Sequence, residues 1–406
     1  MNRRHFLHQA AASTAALALA GCAPRKTNLA ASPQATRLPF YDALQPVHPI
    51  RAHADRLFRI TVCLRPFRAQ GPRLDTEQVA GKLVVHNYGH GGSGWSLSWG
   101  SGVIAVQKAL SNGDKDIAVV GCGALGLTSA ILAQRAGAHV TIYAKERPPE
   151  VRSARATGSW TPDSRICFTK DMPSDFPAQW EKMARTSWSM YQSYLGMPGN
   201  PIEYTDRYFL SDDNNRTREQ AIAAAPHPGP DLDFARFNHL IRDLTPIPQD
   251  LPPADNPFPV AHCSRTTQLQ FNVADYSRQL MNDFYIAGGK LETMEFHQPS
   301  DFVNIPQKAI IHCTGYGAKA LFNDATVTPV RGQIGWLIPQ PEVNYGFYYK
   351  NLNMLSRRDG IVMQLSEQGE ASGWNDTNEN PDRGEAERAV QVLADLYARM
   401  SPKRMS

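Results

Sequence analysis

Long apolar runs, a strong charge bias and a cysteine framework are all lacking in this chain. The apolar stretch Ala10–Ala20 is too short to span a bilayer. Lys and Arg number 42 against 38 Asp and Glu, a net charge of +4. With no basic run beside it, that balance gives no reason to expect a nucleic-acid partner. Six cysteines are scattered along the chain. Setting Cys22 aside leaves Cys63, Cys122, Cys167, Cys263 and Cys313, an odd number that argues against a disulfide framework and for buried thiols. No internal repeat is found. What is present is an ordinary globular balance, 42% hydrophobic and 20% charged. The 406 residues suffice for two packed domains or one large α/β domain.

The N-terminus reads as a targeting segment. Arg3 and Arg4, followed by Phe6 and Leu7, resemble the twin-arginine export pattern. Leu19-Ala20-Gly21-Cys22 resembles a bacterial lipobox, which makes Cys22 the lipidated first residue of the mature protein. The alternative is a Sec signal cut nearby, with Cys22 incidental. The expectation is export to the periplasmic or cell-surface side, anchored to the membrane through that lipid only. Residues 1–22 are then the signal and 23–40 a polar linker.

Local patterns suggest the elements. "LFRITVCLRPF" (Leu57–Phe67) is β-rich and is expected to stop at Pro66, and "GKLVVHNYG" holds a second strand. "GSGVIAVQKAL" (Gly100–Leu110) reads as a helix with Val103, Val106 and Leu110 on one face. "PAQWEKMARTSWSMYQSYLG" reads as another helix, and residues 226–265 read mostly as loops. "GEAERAVQVLADLYARM" is a closing amphipathic helix with Ala389, Val392, Leu393 and Leu396 on one side.

Strand Ile117–Val120, a helix from Gly126 to Arg135 and strand Ala138–Tyr143 make a βαβ unit. Gly121-x-Gly123-x-x-Gly126 sits between its first strand and helix, where a dinucleotide fingerprint belongs. Gly121 permits the tight turn, Gly123 lets backbone amides approach a pyrophosphate, and Gly126 lets helix and strand pack closely. The helix N-terminus then faces the phosphates. The motif does not choose between NAD and FAD. Glu146, one place beyond the usual ribose-binding acid, is the candidate for that role.

A second glycine-rich stretch, "LVVHNYGHGGSGWSLSWGSG" (Leu83–Gly102), lies upstream. Its core closely resembles the signature of the D-amino-acid oxidase family, including D-aspartate oxidases. Three more segments match that family: "LRPFRAQGPRL", "RSARATGSWTP" (Arg152–Pro162), and "HCTGYGAKALF" followed by "TPVRGQIGWL". The family places its dinucleotide fingerprint at the N-terminus and the arginine segment and signature at the C-terminus. Here the order is reversed, which reads as a circular permutation with the old termini joined through "SNGDKD". The resemblance implies an α/β fold: a Rossmann-like FAD-binding domain (72–165 and 264–330) and an α+β substrate domain with a large mixed or antiparallel sheet (41–71, 166–263 and 331–400).

The resemblance also implies the chemistry. FAD oxidises a D-amino acid to the 2-oxo acid and ammonia, and O₂ becomes H₂O₂. Arg65 matches the arginine that grips the substrate carboxylate, and Gly92 matches the backbone carbonyl that receives the amine. Gly91, Ser93, Gly94, Trp95 and Ser96 are expected to wrap the flavin ring through main-chain groups, with the following helix aimed at its anionic edge. Arg152 and Ser153 match positions near the FAD phosphates, and Gly315 a position near the adenosine half. His86 and His90 are spaced i, i+4, but the glycines around them forbid the helix a metal pair needs, so both are expected to bond backbone around the loop. Of the family's two lid tyrosines, Tyr349 aligns with the first and Asn353 replaces the second. Two alternatives stay open: a dehydrogenase passing electrons to membrane quinone, and a flavin-binding pseudoenzyme.

Overall fold

The computed structural model describes residues 46–213 and 232–400. The signal, lipobox and linker therefore lie outside the described residues. The described residues, two sheets and their helices, belong to one compact unit that begins at Pro46.

The fingerprint strand β4 (Asp116–Val120) is buried at all but its first residue. Such a run, apolar on both faces, belongs in the middle of a parallel sheet. It lies between β10 (Ala309–His312) and β5 (His139–Ala144) in a six-stranded sheet. β9 (Lys290–Thr293) extends the sheet past β5, and β3 (Lys82–His86) with β2 (Thr76–Val79) extends it past β10. Only β2 runs antiparallel.

Three helices pack on one face of this sheet: α1 (Gly94–Ala109), α2 (Ala124–Arg135) and, against α2, α4 (Val273–Ile286). α3 (Phe176–Gln192) packs on α1. The short α5 (Ala318–Leu321) follows the turn after β10, and Leu321 packs in the core on the other face.

α1 starts six residues earlier than its apolar pattern indicates. Glycine inside a helix costs about 1 kcal/mol relative to alanine, so Gly94, Gly100 and Gly102 point away from an early start. Tertiary packing overrides that cost. A β-carbon on Gly100 would collide with the Met183 backbone of α3, and one on Gly102 would lie 2.9 Å from Leu132 of α2. The glycines are there so that two helices can approach.

The second sheet has eight strands, in the order β1 (Leu57–Arg68), β11 (Val327–Leu337), β14 (Gly360–Leu365), β13 (Leu352–Arg357), β12 (Tyr345–Tyr349), β6 (Ile202–Ser211), β8 (His262–Phe271) and β7 (Gln249–Asp250). It is antiparallel except where β12 meets β6. β7 and the start of β8 fall in the stretch read as loops. β1 runs through Pro66, which pairs with Pro329 of β11, and ends at Arg68. An edge strand tolerates proline because one side needs no ladder donor.

α6 (Arg383–Ala398) covers one face of this sheet with Ala386, Ala389, Val390, Leu393 and Leu396. Val392 sits at the margin of that contact. The opposite face carries Ile334, Trp336, Leu355 and Val362, and on the same face Cys63 and Arg65 of β1.

Candidate active site

A cavity of about 420 Å³ lies where β3, β4, β5 and β10 end. Ligands of open parallel sheets gather at the carboxyl ends of the strands. The fingerprint supplies one wall. Gly121 has φ +109, and a β-carbon there would lie 2.6 Å from the Cys313 carbonyl oxygen. Gly126 does not line the cavity. A β-carbon on it would collide with the Gly121 carbonyl, so it sets the approach of α2 to the turn. The Ala124 amide donates to Ser153 Oγ at 3.1 Å. The next amides of the first turn have no intrahelical acceptor, the usual condition of an anion-binding helix end. Gly123, Glu146, Arg152, Ser153 and Gly315 all line the cavity. Arg152 is already paired through Nη2 with Glu379 at 2.6 Å, while its Nε is buried with no partner.

The upstream glycine loop supplies another wall through Gly91, Gly92, Gly94 and Trp95. Its main chain is less free than expected. The amides of Gly91, Gly92 and Ser93 donate to the carbonyls of Pro66, Ser164 and His90, at 2.9 Å each. The Ser93 hydroxyl donates to the Ser164 carbonyl at 3.1 Å, and the Ser96 hydroxyl accepts from the Thr161 amide at 2.9 Å. Neither serine lines the cavity, although both were expected to meet the flavin ring through their main chain. The open donors are instead the first-turn amides of α1. No backbone amide of the described residues donates to the Gly92 carbonyl.

The histidines also differ from the expectation. His86 Nδ1 meets His312 Nδ1 at 3.0 Å and its Nε2 meets Glu77 at 2.8 Å, so it bonds side chains rather than backbone. His90 lines the cavity, is 1% exposed, and has no partner at either ring nitrogen. Burial drives its pKa down to about 3, so it stays neutral. Unfolded histidine titrates near 6.5. The unfolded chain therefore gains a proton below that pH while folded His90 does not, and stability falls as pH falls. His90 alone is expected to cost about 1.4 kcal/mol between pH 7.5 and 5.5. Thermal melts across that range check this: a His90→Leu variant should show a correspondingly shallower pH dependence.

Arg65 lines the cavity from β1. Its guanidinium lies so close over Gly332 that any β-carbon there would displace it. Burial lowers its pKa, opposed by the Cys63 thiol. Its one hydrogen bond among the described residues runs from Nη1 to the Arg331 carbonyl at 3.3 Å, and no carboxylate among them pairs with it.

Tyr349 is a correction. It is 2% exposed and packs in the core beneath α6, away from the cavity. Its hydroxyl donates to Asp212 at 2.6 Å and accepts from Arg399 at 2.6 Å. Strand alternation puts its neighbour Tyr348 on the opposite face, paired across β12 and β13 with Asn353. Asn353 Oδ1 accepts from Arg207 Nη2 at 2.5 Å. Tyr349→Phe is expected to lower stability by about 1 kcal/mol, through the loss of a partly buried hydrogen bond to half-exposed charges, with turnover unchanged. Melting temperature and steady-state rates of the variant check both halves.

Tyr348 and Arg165 were not singled out from the sequence, and neither lines the cavity. Counting the apolar period Tyr345, Phe347, Tyr349 would have put Tyr348 on the other face. Nothing in "TPDSR" singled out Arg165.

Two sheets meeting at a cavity with a strand–GxGxxG–helix wall, a glycine loop and a half-buried arginine define a nucleotide-cofactor oxidoreductase. The chain belongs to the FAD dependent oxidoreductase family (DAO), whose model matches residues 116–404. It is 24% identical over 224 residues to a D-amino-acid oxidase of Dictyostelium discoideum, covering 54% of this chain and 56% of that protein. It is 33% identical over 95 residues to a D-amino acid oxidase of Dugesia ryukyuensis, covering 23% and 27%. The chain thus spans about half the length of the first and about a quarter of the second. Among solved structures it is similar to glycine oxidase from Geobacillus kaustophilus (TM-score 0.47, 15% identity, 71% of this chain and 78% of that one). L-proline dehydrogenase from P. horikoshii is similar too (TM-score 0.47, 15% identity, 70% and 78%).

FAD is the family's cofactor, and the residues present fit it. The fingerprint turn and α2 offer amides to a pyrophosphate. Orphaned nitrogens on His90 and Arg152 border the cavity. Gly315, with φ +59 and nothing within 4 Å of a β-carbon, leaves room there.

Proposed function

We propose that this protein oxidises a D-amino acid, with water and O₂, to the 2-oxo acid, ammonia and H₂O₂. The observation that carries this reading is Arg65, a half-buried guanidinium on the cavity wall with no carboxylate partner among the described residues. A cation partly withdrawn from water without a counter-charge is costly, and an amino-acid carboxylate is an anion its fork fits. The names of the two curated relatives support the same substrate class.

FAD supplies the acceptor for the hydride leaving the substrate Cα. Arg65 holds the carboxylate through two parallel N–H donors. The Gly92 carbonyl accepts from the amine. Fixing two substituents of Cα sets which face presents its hydrogen, and so sets the handedness accepted. The first-turn amides of α1, with the positive end of the helix dipole, favour negative charge gathering beside Gly94 and Trp95. His90 remains neutral and offers a hydrogen bond without adding charge.

The test is product analysis with both enantiomers of several amino acids. Peroxide and 2-oxo acid in equal amounts from D-amino acids support the reading. Preference for L-enantiomers overturns the stereochemical assignment, and reduction of quinone without peroxide overturns the choice of O₂.

The circular permutation belongs to the same reading. The family match begins at Asp116, yet β1 to β3, all upstream, complete the same two sheets, and α1 packs on one of them. Residues 110–115 join α1 directly to the fingerprint strand. Leu396, Tyr397 and Met400 share a core with Val47, Ile50 and Leu57, and Tyr345 Oη bonds both Tyr397 Oη at 2.6 Å and the His48 carbonyl at 2.7 Å. The packing of the end of α6 against the segment that leads into β1 supports the permutation. The twin arginines and the Cys22 lipobox support export and lipid anchoring.

A further inference from the structure

A chain of hydrogen bonds runs from the surface to the cavity through two buried histidines. β3 and β10 lie side by side in parallel, and their last residues, His86 and His312, stand opposite each other. The Nδ1 atoms of the two rings meet at 3.0 Å. His86 Nε2 meets Glu77 Oε1 at 2.8 Å, and His312 Nε2 meets Thr314 Oγ1 at 2.6 Å. Glu77, on the edge strand β2, keeps 36% of its side chain exposed. Thr314, at the other end, lines the cavity.

Between those ends the chain is sealed. Phe322 packs on both imidazoles, at 4.8 Å from the centre of His86 and 4.6 Å from that of His312. Tyr88 packs on both as well, and Phe302 on His312. Burial lowers the pKa of each histidine, and the nearby Arg73 charge lowers it further, so both stay neutral at neutral pH. The charged groups beside the chain are themselves paired. Arg73 meets Asp75 at 2.8 Å and Glu77 at 3.6 Å, and its Nη1 donates to the Tyr88 hydroxyl, which donates to Asp324 at 2.7 Å.

A neutral imidazole has one donor nitrogen and one acceptor nitrogen, so all the bonds of the chain must point the same way. With Glu77 ionised, the carboxylate accepts from His86, His86 accepts from His312, and His312 accepts from the Thr314 hydroxyl. Thr314 then turns only lone pairs toward the cavity. With a proton on the Glu77 carboxyl every bond reverses, and the Thr314 hydroxyl is free to donate. The proton rests at the half-exposed carboxyl, so no charge enters the core.

Thr314 stands against the fingerprint turn: a β-carbon on Gly121 would lie 3.4 Å from its amide nitrogen. That turn belongs to the wall that fits the FAD pyrophosphate, whose oxygens only accept. We infer that Glu77, His86 and His312 are positioning residues that link binding of the FAD pyrophosphate to uptake of one proton at Glu77. The phosphate favours the direction in which Thr314 donates, and that direction exists only with the proton in place. Linkage is reciprocal, so FAD binds more tightly as the pH falls. The inference rests on the FAD site and not on which substrate is oxidised.

The experiment measures the FAD dissociation constant of the full chain by flavin fluorescence. It is expected to fall about tenfold from pH 8 to pH 6, one linked proton allowing at most tenfold per unit. Calorimetry in buffers of different ionisation heat should show net proton uptake on binding. Glu77→Gln provides an uncharged end that donates to His86 without a proton from solvent. This variant is expected to bind FAD at pH 8 as tightly as the wild type does at pH 6, with no dependence on pH. Thr314→Val, which removes the hydroxyl at the cavity, is expected to bind as weakly as the wild type does at pH 8, again without pH dependence. A wild-type affinity that does not change with pH overturns the linkage. So does a Glu77→Gln variant that keeps the wild-type slope, since another group on the cavity wall, such as His297, would then be the one that titrates.

Discussion

Replacing Arg65 with alanine is expected to leave the protein yellow and cut kcat/KM by about 10²- to 10⁴-fold. The range follows from two charge-assisted hydrogen bonds worth roughly 1.5–3 kcal/mol each, with tenfold in rate for every 1.4 kcal/mol. Flavin retention is expected because the phosphate wall of the cavity is built from β4, α2 and Ser153, none of which bonds to Arg65. Folding should not suffer either, since Arg65 is half-buried, makes one long hydrogen bond and pairs with no carboxylate among the described residues. Arg65→Lys keeps the charge and loses the fork, so it should fall between wild type and alanine. Steady-state kinetics beside the visible spectrum check all three statements. An alanine variant turning over at the wild-type rate would remove Arg65 from the site.

The second large effect is expected at Gly126, where valine should abolish FAD binding and lower stability by several kcal/mol. A β-carbon there collides with the Gly121 carbonyl, which is backbone and cannot swing aside. Overpacking of this kind typically costs 1–3 kcal/mol and occasionally more, and a branched side chain adds to it. The only relief is for α2 to back away from the turn. That withdraws the first-turn amides from any phosphate and breaks the Ala124–Ser153 bond. FAD titration and thermal melts of the variant report the two consequences separately. Full flavin content with an unchanged melting temperature would mean that the turn does not set the cradle.

The parts of this molecule with a local cause were legible in its sequence. The fingerprint declares itself because turn, close approach and helix packing each demand glycine at a fixed spacing. Arg65 could be found because it sits in a short segment with a recognisable neighbourhood.

What escaped depends on distant contacts. α1 starts at Gly94 because Met183 and Leu132 need its glycines as gaps, and no helix propensity encodes that. The amides of Gly91, Gly92 and Ser93 looked free, but Pro66, Ser164 and His90 take them. Tyr349 and Tyr348 differ by one residue, and in a strand one residue is the whole difference between the two faces of the sheet.

The central claim is that two glycine-rich stretches, far from alike in role, build one FAD site with a carboxylate clamp beside it. Its most direct test is the visible spectrum of the purified protein, taken anaerobically before and after addition of D-amino acids. A yellow protein that releases FAD on denaturation, and whose absorbance bleaches on adding a D-amino acid, is the predicted result. A colourless protein that cannot be reconstituted with FAD would contradict the account.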